Sequence, residues 1–138
     1  MSDPLPVVAR LRHRAVDEAR QALADSVTAE TAAAEALRLL DTAIAAETDA
    51  AGDLSGDDQS VEDFAAWLRR VRIDRRSAVA ELESAELRST EARAALAASR
   101  TAARAMEDML TRREAERRLA AARREQAVLD EAGQRRTD

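Results

Sequence analysis

The sequence predicts an all-α fold: a long two-helix antiparallel coiled-coil hairpin whose second helix overhangs the first. Three observations carry this. Ala, Glu, Leu and Arg make up 84 of the 138 residues, the composition of long helices and coiled coils. The body of the chain contains a single loop-like stretch. On either side of it, apolar residues recur in alternating steps of three and four, the spacing of a narrow helical seam.

The first helix is expected over about residues 5–51. Pro4 and Pro6 are the only prolines, and a first helical turn tolerates proline because its N–H groups have no intrahelical partner. The seam reads Val16, Ala19, Leu23, Ser26, Glu30, Ala33, Leu37, Leu40 and Ile44. Glu30 interrupts it, and a charged residue in a seam sets register at some cost in stability.

Gly52-Asp53-Leu54-Ser55-Gly56-Asp57-Asp58-Gln59 is the loop, within an acidic turn placed at 52–60. Gly52 suits the left-handed position that ends a helix. Ser60, followed three residues on by Asp63, resembles an N-cap signal. One turn between two long helices folds them back antiparallel, so residues 1–138 are expected to form one hairpin.

The second helix is expected over about residues 61–132. Its seam reads Phe64, Leu68, Val71, Arg75, Ala78, Leu82, Ala85, Ser89, Ala92, Leu96, Ser99, Ala103, Met106 and Leu110. The register then shifts to Ala115, Leu119, Ala122 and Leu129, a break of the stutter type. At 1.5 Å per residue the helices would span roughly 70 Å and roughly 105–110 Å. Residues beyond about 108 then lack a partner in the first helix. That segment carries Arg112, Arg113, Arg117, Arg118, Arg123 and Arg124. An unpartnered amphipathic helix is marginal alone in water, so this one is either frayed or completed by another protein.

Composition also excludes. One Phe, one Trp and no Tyr cannot build an ordinary aromatic-containing core. The absence of Cys rules out disulfides and thiolate zinc sites. No apolar run approaches the ~18 residues of a membrane span. The N-terminus lacks the cationic flank and apolar core of a signal peptide, so a cytoplasmic protein is expected. All 22 cationic side chains are Arg, a bias that a GC-rich genome explains. Residues 1–51 carry a net charge of −4, residues 52–63 of −5 and residues 64–138 of +4. The resulting acidic balance argues against a nucleic-acid partner.

Sequence signs of catalysis are missing. No glycine-rich phosphate loop is present, and His13, the sole histidine, sits among Arg10, Arg12 and Arg14, where a metal is disfavoured. Acidic pairs such as Asp17-Glu18 and Asp57-Asp58 read as solvated faces, since a helical pair offers no cleft to perturb them. The acidic turn lacks calcium-loop spacing. No enzyme activity and no cofactor or metal are expected.

Two features point to partner proteins. Phe64-Ala65-Ala66-Trp67-Leu68-Arg69-Arg70-Val71 holds both aromatics. It reads either as closure of the hairpin end or as a docking patch with Trp67 beside the seam, tryptophan being an enriched interface anchor. The Arg-rich overhang reads either as a solvated face or as a segment that enters an acidic protein cavity.

Three stretches together resemble the flagellar export protein FliJ family, a group of small cytoplasmic antiparallel coiled coils similar to the gamma stalk subunit of rotary ATPases. They are Leu11-Arg12-His13-Arg14-Ala15-Val16-Asp17-Glu18-Ala19-Arg20, Phe64-x-x-Trp67-Leu68-x-x-Val71, and Arg123-Arg124-Glu125-Gln126-Ala127-Val128-Leu129-Asp130-Glu131. The resemblance covers nearly the whole chain. It implies a non-enzymatic stalk that binds the flagellar export ATPase ring and the cytoplasmic domain of the export gate, helps escort export chaperones, and meets the membrane only through these partners. Arg117, Arg118, Arg123 and Arg124 would face the ATPase; Phe64, Trp67, Leu68 and Val71 would face the gate. The alternatives are the equivalent stalk of a virulence-type secretion system, or a structural coiled coil that dimerises or spaces other proteins.

Overall fold

The computed structural model describes residues 3–52 and 57–137. They form two helices, α1 (Leu5–Gly52) and α2 (Asp58–Thr137), with no strand among the described residues. The fold is all-α, and its two long helices pack against each other. Contacts group the chain into two compact units, Met1–Glu18 with Ala97–Asp138, and Ala19–Leu96.

Helix ends follow from capping chemistry. Asp3 accepts a hydrogen bond from the Leu5 N–H at 3.1 Å, and Pro4, whose missing N–H costs nothing there, stands just before the helix with its carbonyl accepting from the Val8 N–H. At α2 the cap is Asp57, whose carboxylate accepts from the Gln59 N–H at 3.3 Å. The helix therefore starts at Asp58 rather than near 61, and Ser60 lies inside its first turn. Aspartate caps as well as serine, and Asp57 comes first along the chain. Gly52 is the last residue of α1 and is not in the left-handed region, so the expectation of a left-handed glycine cap fails. The rest of the acidic turn, residues 53–56, lies outside the described residues. Gly133 does not stop α2, which continues to Thr137.

In the 19–96 unit, Ala33, Val71, Ala85, Ser89 and Leu96 are buried, and the remaining predicted seam positions are half-buried, with one exception. Arg75 leaves the seam: its guanidinium pairs with Asp41 at 2.6 Å, with 44% of its side chain exposed. A long apolar stem that can carry its charge to the rim explains why this position tolerates arginine. Glu30 Oε2 and Ser89 Oγ are buried without a hydrogen-bond partner. The Asp41–Arg75 register puts these two residues within about one helical turn of each other along the seam.

In the other unit, Ala9, Val16 and Ala103 are buried, and Met106 and Leu110 half-buried. His13 Nε2 lies 3.0 Å from Glu107 Oε1 at the seam edge. Asp3 pairs with Arg113 and Arg117, each at 2.8 Å. In both units pairing is antiparallel: Asp3 meets Arg113 while His13 meets Glu107, and Asp41 and Ile44 lie beside Arg72 and Arg75 while Ala50 and Ala51 lie beside Phe64.

Candidate partner-binding surfaces

The first surface belongs to the 19–96 unit. Helical spacing puts Phe64 and Trp67 three residues apart on one face of α2, and their rings stack with centroids 5.9 Å apart and planes inclined by 26°. Phe64, Trp67 and Leu68 are half-buried, whereas Val71 is 7% exposed. Phe64 and Trp67 line a shallow pocket with Ala50, Ala51 and the carboxylates Glu47 and Asp63. The side chains proposed for a common contact are thus unequal. Val71 serves the seam, while Phe64, Trp67 and Leu68 retain accessible surface. An apolar aromatic floor with an acidic rim suits a partner segment that is apolar and cationic.

The second surface is the end of α2. Every described residue from 111 to 137 is exposed. Leu119, Val128 and Leu129 are 53%, 65% and 66% exposed, and Val128 and Leu129 share a groove with Arg124 and Glu125. Nine positions apart on one helix, Leu119 and Val128 lie about 180° from each other, so the exposed apolar side chains ring the helix rather than line one stripe.

Four arginines of this end occupy three situations. Arg117 donates to Asp3, Arg118 to Glu114 one turn back at 3.0 Å, and Arg123 and Arg124 have no carboxylate within ion-pair distance among the described residues. The expectation that residues beyond about 108 have no partner on the first helix's side needs correcting: pairing extends to Arg117. Asp3 precedes the helix and long guanidinium stems reach it. The Leu5 N–H, then Arg113 and Arg117, hold the Asp3 carboxyl below the usual aspartate range. This clasp is absent from the sequence reading. Its signals were Asp3-Pro4 at a helix start and two arginines four apart, and neither is decisive before the register is known.

Among the described residues no three metal-ligating side chains converge, and no helix is long and apolar enough to cross a membrane.

The family described as the flagellar FliJ protein matches residues 1–137. The chain belongs to the FliJ family. That membership makes it a component of the flagellar export apparatus and fits the two-helix fold. Comparison with curated proteins and with solved structures gave no match. The FliJ match spans both helices and so includes both surfaces described above.

Proposed function

We propose that this FliJ-family chain is a non-enzymatic, stalk-like adaptor of the export apparatus. The exposed end of α2 binds the export ATPase ring, the half-buried aromatics near the start of α2 contact the cytoplasmic domain of the export gate, and export chaperones are escorted by the same chain. It works in the cytoplasm and reaches the membrane through its partners alone.

The observation that supports this reading most is the 111–137 segment, exposed throughout and carrying Leu119, Val128 and Leu129 together with Arg123 and Arg124, which have no ion-pair partner among the described residues. An exposed helix with apolar and cationic side chains around its circumference gains stability when an acidic, apolar cavity encloses it. The rim of Glu47 and Asp63 around Phe64 and Trp67 supports a second, chemically different contact.

Mixing the purified chain with the flagellar export ATPase tests the reading. Co-migration, faster hydrolysis and more ring formation are expected. No co-migration and no change in either activity would overturn the stalk assignment and leave a spacer coiled coil.

A further inference from the structure

On the side of α2 turned away from the seam, Ile73 is 57% exposed. It follows buried Val71 by two residues, about 200° around the helix axis. Residues three and four positions away are its neighbours on that surface. Three of these four are arginines: Arg69, Arg70 and Arg76, the last of which also borders a groove with Asp41 and Ile44 of α1. All three are exposed, and none has a carboxylate within ion-pair distance among the described residues. Elsewhere the chain pairs many of its exposed arginines locally, as Arg38 does with Glu35, Arg118 with Glu114 and Arg135 with Glu131. Around Ile73 it does not. Asp74, one turn on from Arg70, makes no ion pair with it.

We infer that this outward face is a docking site for an acidic, amphipathic helical segment of a partner protein. An exposed Ile flanked by three guanidinium groups without a carboxylate partner among the described residues has the anatomy of an interface: an apolar centre with a charged rim. Arginine suits the rim because it binds carboxylates bidentately and gives up its hydration more readily than lysine. The occupant must supply carboxylates at helical spacing around one apolar anchor. A protein segment supplies both. A membrane surface or a nucleic acid is a continuous polyanion that would run on to the carboxylates of Asp57, Asp58, Glu62 and Asp63. These begin about 15 Å along the helix and repel it, whereas a short acidic segment ends before them. The face is separate from the Phe64–Trp67 pocket and from the overhang, so it stands whichever export component occupies those.

The test uses full-length protein and a fluorescein-labelled synthetic helical peptide, rich in glutamate with leucine at i, i+3 and i+7, read by anisotropy. Arg69→Glu with Arg76→Glu should weaken binding by about tenfold or more, and Ile73→Ser by about tenfold. Arg100→Glu with Arg104→Glu, exposed and outside every surface described above, should change it by less than about twofold. All these sites are exposed, and unchanged circular dichroism verifies folding. Equal losses from both arginine pairs, undiminished binding by Ile73→Ser, or equal binding of a glutamine-for-glutamate peptide would each overturn the inference. So would tighter binding to phosphatidylserine vesicles, or a self-association that Ile73→Ser abolishes while the peptide fails to compete.

Discussion

Asp3 and Arg117 stand 114 positions apart in sequence, and their carboxylate and guanidinium meet at 2.8 Å. The same carboxylate caps α1 through the Leu5 N–H. One residue therefore both starts the first helix and ties it to the second.

Asparagine caps a helix about as well as aspartate, so Asp3→Asn isolates the charge. Hydrogen exchange should quicken over residues 5–10 while the total helix content stays the same. In the native protein the clasp contributes above the ordinary aspartate pKa, about 3.9, because folding lowers that of Asp3. It is lost as pH falls through the lowered value. The variant should show no such acid step; an identical pH profile would mean the two ion pairs do not hold this end.

Ser89 is fully buried with its hydroxyl unpartnered. Ser89→Ala removes an unsatisfied polar atom and improves helix propensity, so denaturant unfolding should show stabilisation of about 0.5–1.5 kcal/mol. Glu30→Leu at the neighbouring level should stabilise by about 1–3 kcal/mol. Loss of stability in both variants would show that the two polar groups are satisfied in solution.

Leu96 and Leu119 separate packing from docking. Leu96 is 7% exposed, and its replacement by Ala should cost about 2–4 kcal/mol. Leu119→Ala, at a 53% exposed site, should alter stability by less than about 0.5 kcal/mol and weaken ATPase binding. If both variants lower the melting temperature alike, the overhang folds back onto the protein.

Arg117 is engaged by Asp3, so Arg123→Glu with Arg124→Glu is the cleaner probe of the basic end. Affinity for the export ATPase should fall about tenfold with helicity retained. Unchanged affinity would leave this end a solvated face.

Trp67→Ala should reduce binding to the export gate domain, measured by calorimetry, more than it lowers the melting temperature. Its ring stacks on Phe64 yet stays half-buried. The reverse ranking would assign Trp67 to closure of the helix pair.

The seam was legible because burial follows period: each apolar position named from the three-four spacing through Leu110 is buried or half-buried. Arg75 was not, because its length lets it serve the rim from a seam position. The start of α2 was misplaced because Asp57 and Ser60 carry equivalent capping chemistry, and local sequence does not rank them. The surfaces were half legible. Phe64 and Trp67 stand out by composition, whereas the Asp3 clasp and the unpaired arginines around Ile73 depend on knowing which charges are already taken.

The spacing of the ion pairs also orders assembly in time. Asp41 and Arg75 close a loop of 34 residues, Asp3 and Arg117 one of 114, an added closure cost of about 1 kcal/mol if each formed alone. During translation the partners of Asp3 emerge long after Arg75, so the turn-proximal pairs can form on the ribosome while Asp3 waits. The basic end of α2 is made later still. A nascent chain therefore exposes the Ile73 face before residues 111–137 have been made.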